Sequence, residues 1–225
     1  MPWLVVLFGL MIAPLGITSI FFIIIQPVVI GTWSIVALIG AAAVLIQIPY
    51  SLDELLATLQ FLRRRTTAGQ NWLRVFFVGD TDEMQEAKNA EPISDEFDRS
   101  PGAVIKSAIG GGVSLPWNLA LAALIGLSLL FTRIMLGVDG SLANAHHVIG
   151  SLVLTVVSIA AAEVARPVRY LNIPLGAALI GAPFMFGASM VTTVVSMVLG
   201  AGLVVLSIRR GPIRERYGNW NRLMI

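Results

Sequence analysis

The segment PWLVVLFGLMIAPLGITSIFFIII, Pro2–Ile25, contains no charged side chain in its 24 residues. The hydrocarbon core of a bilayer is about 30 Å thick, and a helix needs about 20 apolar residues to cross it. The segment lacks the Lys/Arg leader of a secretory signal and is roughly twice as long as the apolar region of such a signal. We therefore predict a retained membrane span, and the rest of the chain follows the same composition.

Hydrophobic residues make up 56% of the chain and charged residues only 12%, with a mean hydropathy of +0.84. Soluble domains carry about 25% charged residues, so this chain has too little polar surface to face water on all sides. We predict an all-α integral membrane protein of about six transmembrane helices. The predicted spans are residues 2–25, 29–48, 117–136, 142–164, 171–188 and 190–208.

The segment between the second and third spans, residues 51–114, is more polar. Ser51 and Glu54 match a capping box that would begin a new helix. Five leucines follow on one face at helical spacing: Leu52, Leu55, Leu56, Leu59 and Leu62. We predict an amphipathic helix in the membrane interface, either a surface anchor or a docking helix for a partner, followed by an acidic loop at residues 80–98. Its end carries three arginines suited to anionic headgroups, Arg63, Arg64 and Arg65.

Basic residues are segregated along the chain. With six spans, every Lys and Arg except Arg133 falls on one side of the membrane, including the membrane-surface pair Arg209 and Arg210. The positive-inside rule makes that side cytoplasmic, which predicts a bacterial inner-membrane protein with both termini in the cytoplasm. Because topology explains the charge pattern, no nucleic-acid partner is predicted. Four regions follow: a hairpin (1–50), the amphipathic helix and loop (51–114), a four-helix region (115–208) and a basic cytoplasmic tail (209–225).

The four-helix region contains a repeat. The sequence ALIG at residues 123–126 recurs at 178–181, and Gly150 in the next helix is matched by Gly200. Small residues at such positions allow helices to approach closely in lipid. Repeated membrane hairpins form transporter halves in some proteins and a duplicated scaffold in others, and both interpretations stay open.

Two stretches resemble known families. QPVVIGTWSIVAL at residues 26–38 and IPYSLDELLA at 48–57 resemble bacterial proteins of the vitamin K epoxide reductase family. The C-terminal half resembles the SPW-repeat membrane proteins in four places: PWN at 116–118, His147 with Gly150, EVAR at 163–166 and RERYGNW at 214–220. The resemblance implies a redox-type hairpin joined to an SPW-repeat domain, and together the two regions cover most of the chain.

The resemblance also implies where redox chemistry would lie. In the first family, a Cys-x-x-Cys pair shuttles electrons between a quinone and partner thiols. The matching positions here are Ser34 and Ala37, and the chain has no cysteine. We therefore predict no catalytic residue, and we interpret Ser34 and Ala37 as degenerate redox positions.

The remaining candidates are ionisable residues near the ends of the fourth span. His146 and His147, the only histidines, would bind a haem or pigment if one imidazole faced a cavity. The competing interpretation is an interfacial pair bonded to headgroups or loop carbonyls. A metal site is not predicted, because Asp139 is their only nearby partner. Glu163 and Arg166 have the spacing of a structural ion pair, although an ionisable residue within a span is also a functional candidate.

These observations favour a non-catalytic structural or assembly subunit of a larger inner-membrane complex, photosynthetic or respiratory. Its predicted partners are other membrane-protein subunits and lipids, and the sequence identifies no cofactor. One alternative is a quinone-linked thiol-redox protein whose cysteines come from a partner. Another is a small transporter built on the repeated hairpins.

Overall fold

A computed structural model describes residues 1–80, 100, 102 and 112–213, and most of these residues are helical. A π-helix at Gln26–Ile30 extends the first α-helix, and a 3₁₀-helix at Glu163–Leu171 connects two later ones. Within these residues the α-helices are α1 (Pro2–Ile25), α2 (Ile35–Thr67), α3 (Trp72–Val78), α4 (Trp117–Leu130), α5 (Thr132–Leu136), α6 (Gly140–Ala161), α7 (Asn172–Phe186) and α8 (Met190–Ile208).

Among the described residues, four helices are long and apolar enough to cross a membrane: α1 with its π-helical extension, α2, α6 and α8. The helix α4 is apolar but has only 14 residues, and α7 has 15. The prediction of an all-α chain with membrane-spanning helices is therefore confirmed for four candidate spans. The ends of α1 and α8 are those predicted from the sequence, because each apolar run there is bounded by polar or turn-forming residues.

The prediction of a separate interfacial helix beginning at Ser51 is wrong. The second span and that segment form the single 33-residue helix α2, which begins at Ile35 rather than at residue 29 and passes through Pro49. Ser51 is buried in the middle of α2, and Ser34 is the N-cap instead. Breaking the helix at Ser51 would leave several backbone groups unbonded, which is costly in an apolar environment. At 1.5 Å per residue, α2 is about 50 Å long, so it exceeds the bilayer core by several turns.

The third and fourth predicted spans are also altered. Phe131 interrupts the third, separating α4 from α5. The hydroxyls of Ser128 and Thr132 on either side donate to carbonyls three residues earlier, a bonding pattern that competes with regular helix. The fourth span ends at Ala161 rather than at residue 164, because Ala162 adopts an extended conformation and forms an isolated antiparallel bridge with Val113.

The four-helix region is built from two hairpins with approximate twofold symmetry. In the first hairpin α4 packs on α6, and in the second α7 packs on α8. The hairpins meet through α6 against α7 and α8 against α4. The buried positions of α8 each lie 50 residues after a buried position of α6: Thr192, Ser196, Gly200, Leu203 and Ser207 follow Leu142, His146, Gly150, Val153 and Val157. The predicted duplication is therefore visible in the packing.

The sequence match nevertheless aligns the first helices of the two hairpins incorrectly. A methyl group added at Gly126 would lie 3.1 Å from the carbonyl oxygen of Gly150, and one added at Gly176 would lie 2.7 Å from that of Gly200. A methyl group at Gly181 would meet nothing within 4 Å. The structural equivalent of Gly126 is thus Gly176, not the Gly181 of the repeated ALIG sequence. Close approach of the helix backbones, rather than local sequence identity, fixes the register.

The N-terminal hairpin of α1 and α2 packs on α6. The Ser158 hydroxyl of α6 donates to the backbone carbonyl of Leu45 in α2. Leu56, further along α2, packs against Val164 and Ile213. The C-terminal half of α2, the end of α6 and the end of α8 therefore lie at one end of the bundle, which we call the basic end because it carries Arg63, Arg166 and Arg209.

Candidate functional site

Ser34 and Ala37, interpreted above as degenerate redox positions, take part in a helix cap. The Ser34 hydroxyl accepts a hydrogen bond from the backbone N–H of Ala37, at 3.4 Å, and so caps the N-terminus of α2. The backbone N–H of Ser34 donates to Oε1 of Gln26, at 3.0 Å, which connects the cap to the π-helix. Both contacts organise the turn between α1 and α2, so these positions have a structural role in this chain.

His147 joins the N-terminal hairpin to the four-helix region. Its Nε2 lies 2.8 Å from the backbone carbonyl oxygen of Ile23 in the last turn of α1 and donates to it. The Trp33 ring packs edge-on against the imidazole, with 5.0 Å between ring centroids, and stacks on Phe131 at 6.2 Å. Because only 5% of His147 is exposed, the prediction that it contacts lipid headgroups is wrong. Its carbonyl partner belongs to a helix rather than to a loop.

His146 connects the two repeats. Its Nε2 lies 3.1 Å from the hydroxyl oxygen of Ser196, while its Nδ1 is buried with no hydrogen-bond partner. The two residues are each 1% exposed, so His146 also does not contact headgroups. His146 and Ser196 occupy equivalent positions of the repeat, 50 residues apart. Their contact therefore lies close to the approximate twofold axis between α6 and α8.

We expect the His146–Ser196 contact to contribute measurable but modest coupling. Hydrogen bonds between membrane helices contribute about 0.6 kcal/mol on average. A double-mutant cycle of His146→Ala and Ser196→Ala in detergent-solubilised protein should give about that coupling in the free energy of unfolding. Pairing Ser196→Ala with Thr193→Ala is the control, since the Thr193 hydroxyl donates to the carbonyl of Ser189 in its own helix. Additive effects in the His146 cycle would contradict the contact.

A second polar cluster lies at the basic end, around Ser114. The Ser114 hydroxyl donates to Oε1 of Glu163, at 2.6 Å, and accepts from Nη2 of Arg166, at 2.5 Å. Nη1 of Arg166 also donates to the Ser114 backbone carbonyl, at 3.2 Å. Glu163 and Arg166 are 1% and 0% exposed. The structure thus brings the predicted pair together at one hydroxyl and buries opposite charges in the same place.

Backbone contacts position this cluster. The N–H of Ser114 donates to the carbonyl of Ala161, and the N–H of Glu163 donates to that of Gly112, both at 2.9 Å. These bonds fasten the chain entering α4 to the chain leaving α6. The 3₁₀-helix then places Arg166 one turn after Glu163, so both side chains reach the same serine. The cluster therefore closes the first hairpin at the basic end.

Arg169 extends the buried cluster towards α7. Its Nη1 donates to the carbonyl of Arg166, at 3.0 Å, and its Nη2 donates to the Tyr170 hydroxyl, at 2.8 Å. Burial lowers the pKa of the Arg169 guanidinium from its ordinary value; Tyr170 opposes this, and the nearby Arg210 adds to it. The Arg169 Nε and both amide atoms of Asn172 are buried without a hydrogen-bond partner. The cluster is therefore strongly basic and incompletely satisfied.

The predicted membrane-surface arginines lie at the same end of the bundle. Arg63 and Arg64 are exposed at the end of α2, and Nε of Arg65 donates to the Asp80 carboxylate at 2.8 Å. Arg209 is exposed, with its guanidinium carbon 5.3 Å from the centroid of the Trp117 ring, and Arg210 is half-buried. This placement suits contact with headgroups, which stays a prediction. The acidic loop lies almost entirely outside the described residues.

Four residues of the polar clusters were not identified as site residues from the sequence: Ser114, Asn118, Arg169 and Asn172. Nδ2 of Asn118 donates to the carbonyls of Leu206 and Arg209, at 3.2 and 2.7 Å, and so fastens the start of α4 to the end of α8. Two of the four could have been found in the sequence, because Asn118 and Asn172 each stand at the start of a hairpin. The contacts of Ser114 with Glu163 and Arg166, which lie 49 and 52 residues later in the chain, could not be predicted without the fold.

Comparison with protein-family models, with curated proteins and with solved structures gives no match for this chain. The resemblances to the vitamin K epoxide reductase family and to SPW-repeat proteins therefore stay predictions. In the described residues, no group of three or more His, Asp or Glu side chains is placed to hold a metal ion.

Proposed function

We propose that this chain is a structural or assembly subunit of a larger membrane complex, with six spans in a bacterial inner membrane. The observation that carries the proposal is the use of both histidines in contacts between helices. His147 binds the Ile23 carbonyl of α1, and His146 contacts Ser196 of α8. Each imidazole thus connects α6 to another helix, which is the role of a polar group that stabilises a bundle.

The N-terminal hairpin provides the surface for a partner. In the most apolar 18-residue stretches of α1 and α2, 17% and 22% of the residues are buried, against 56% in α6. Exposed side chains on α2 include Val36, Ile39 and Ile46, which are 65–80% exposed. Apolar helix faces of this kind contact either lipid or other helices in a membrane. A subunit that docks through α1 and α2 would bury them.

In the six-span topology, α4 together with α5 forms one further span and α7 forms another, in addition to the four long helices. The antiparallel packing of α4 on α6 and of α7 on α8 supports this. A helix that packs lengthwise on a membrane-crossing helix lies at the same depth in the membrane. The shared basic end supports cytoplasmic termini by the positive-inside rule. Arg63, Arg166 and Arg209 lie there, whereas Arg133 is at the opposite end.

The topology can be tested with single cysteines, because the chain has none of its own. We expect Asp139→Cys, in the exposed connection before α6, to react with a membrane-impermeant maleimide in intact cells. Arg64→Cys, at the exposed end of α2, should react only after the membrane is permeabilised. Labelling of Arg64→Cys in intact cells, or protection of Asp139→Cys until permeabilisation, would reverse the proposed orientation.

The assembly role is tested by mild-detergent purification from the native membrane, followed by native gel electrophoresis, mass spectrometry and a visible absorption spectrum. We expect a complex larger than the 24.1 kDa chain with a stoichiometric membrane-protein partner. A photo-crosslinking residue at Ile39 should capture that same partner, whereas one at Val198, equally exposed on α8, should not. A chain that runs alone, with no partner at either position, would refute the proposal.

A further inference from the structure

A cavity lies between α1, α2 and α6, away from both polar clusters. Its volume is about 320 Å³, within the range of small-ligand sites, and its walls are almost entirely apolar. The lining includes Gly9, Ala13 and Gly16 of α1, Ser51 of α2, and Thr155 and Ile159 of α6. Ile17 also lines it and is 70% exposed, so the cavity opens sideways to the surroundings of the bundle.

The small residues of α1 create space here rather than close helix contact. A methyl group added at Gly9 would lie 3.5 Å from a Leu55 side-chain carbon, and one added at Gly16 would lie 3.4 Å from Ile48. These are ordinary van der Waals distances. At Gly150 and Gly200, by contrast, an added methyl would lie within 2.7 Å of a backbone oxygen. The α1 glycines are therefore not required for packing against α2, and their effect is an open trough.

One polar group in the trough is unsatisfied. The Ser51 hydroxyl oxygen is buried and has no hydrogen-bond partner, and the residue is 6% exposed. The other hydroxyl in the lining, that of Thr155, already donates to the backbone carbonyl of Ser151 at 2.9 Å. A buried hydroxyl without a partner is unfavourable by about 1–3 kcal/mol. Ser51 therefore selects an occupant that is largely apolar and carries an acceptor oxygen.

A second groove meets the cavity at Ser51. It has a volume of about 440 Å³ and combines the apolar Leu4, Val5 and Phe8 with the polar Gln47, Tyr50 and Glu54. Ser51 thus separates an apolar compartment from one with polar groups. The apolar compartment extends along α1 from Gly9 to Ile20, about 16 Å at 1.5 Å per residue. Because Gly9 faces Leu55 and Gly16 faces Ile48, Ser51 lies beside the middle of this length. About 10 Å of the apolar wall, from Ala13 to Ile20, lies beyond it.

We propose that the cavity is a binding site for a membrane phospholipid, with one acyl chain in the trough and an ester carbonyl accepting from the Ser51 hydroxyl. The polar glycerol region occupies the groove beside Tyr50 and Glu54. The acyl chain enters sideways past Ile17, as the exposed lining requires. Such a lipid fills the space between the N-terminal hairpin and α6 and satisfies the buried hydroxyl. The inference does not depend on the proposed assembly role.

The test uses the full chain in liposomes of phosphatidylethanolamine and phosphatidylglycerol. A trace of phosphatidylcholine carries a photoactivatable diazirine near the end of one acyl chain. We expect crosslinks concentrated on the part of α1 that contains Gly16, Ile17 and Ile20. Native mass spectrometry should also show one phospholipid retained per chain. Crosslinks spread evenly over α1 and the outward face of α2 would indicate bulk lipid and overturn the proposal.

Matched variants separate the site from general lipid contact. Ala13→Phe places a ring in the trough and should abolish both the crosslink and the retained lipid. Ala43→Phe, the same change at an exposed position of α2 outside the cavity, should leave both unchanged. Ser51→Ala should lower retention roughly three- to tenfold, the effect of one hydrogen bond, and it keeps the site testable if Ala13→Phe does not fold. Retention unaffected by Ala13→Phe, or by Ser51→Ala, would overturn the proposal.

Discussion

Arg166→Met is expected to destabilise the fold by about 3–5 kcal/mol, since it removes the cation that lies beside the buried Glu163 carboxylate. Glu163 and Arg166 are almost fully buried and share the Ser114 hydroxyl, which donates to one and accepts from the other. Methionine keeps much of the side-chain volume but removes the charge and the contacts to Ser114. The free energy of unfolding in mixed micelles, measured by titration with a denaturing detergent, would record the loss.

Two variants distinguish a loss of charge compensation from a loss of packing. Arg133→Met is the control, because Arg133 is exposed and its Nη2 donates only to Asn144, at 2.6 Å, among the contacts described. We expect a change within about 0.5 kcal/mol there. Combining Glu163→Gln with Arg166→Met removes both charges and should recover part of the stability. A double variant no more stable than Arg166→Met alone would contradict the charge argument.

The helices that could be predicted from sequence are those whose ends coincide with the ends of apolar runs. The limits of α1 and α8 were predictable for this reason. The limits of α2 were not, because Pro49 and the Ser51–Glu54 pair are typical of a helix boundary in water. Within an apolar bundle the backbone keeps its helical hydrogen bonds through such a sequence. Ser51 is then placed against α1 instead of capping a helix.

The candidate sites were predicted in part. Composition and spacing identified His146, His147, Glu163 and Arg166 as the unusual polar residues near the ends of the fourth span, and all four are buried in specific contacts. Their partners could not be predicted, since Ile23 and Ser196 are 124 and 50 residues away in the chain. Periodicity reports which face of a helix is apolar but not which helix lies opposite. From sequence the histidines were interpreted as cofactor ligands or as an interfacial pair bonded to headgroups or loop carbonyls, and their contacts with other helices became visible only in the fold.

The repeat shows a different limit of sequence reasoning. In helices rich in Ala, Leu, Ile and Gly, a four-residue identity such as ALIG has little information about register. The structure instead relates Gly126 to Gly176, because both lie where the two helices of a hairpin approach most closely. The 50-residue shift also pairs His146 with Ser196 and Gly150 with Gly200, so one shift accounts for both helices of each hairpin.

The 50-residue register predicts that the same substitution has different effects on stability at two glycines of α7, Gly176 and Gly181. Gly176→Ala is expected to destabilise the bundle by about 1–3 kcal/mol, because the new methyl would lie 2.7 Å from the Gly200 carbonyl oxygen and 2.8 Å from a Val204 methyl. A backbone oxygen within a helix cannot move aside, so α7 and α8 must separate. Unfolding in mixed micelles, or thermal loss of the monodisperse protein, measures the effect.

Gly181→Ala is the matched control, since it makes the same substitution five residues further along α7 with nothing within 4 Å of the new methyl. Alanine is the better helix former by up to about 1 kcal/mol, so this variant should be as stable as the parent or slightly more stable. If the two hairpins were instead aligned by their ALIG sequences, Gly181 would be the close-contact glycine and the two effects would be exchanged. Comparing the two variants under the same conditions therefore tests the packing of the second hairpin independently of the overall stability of the chain.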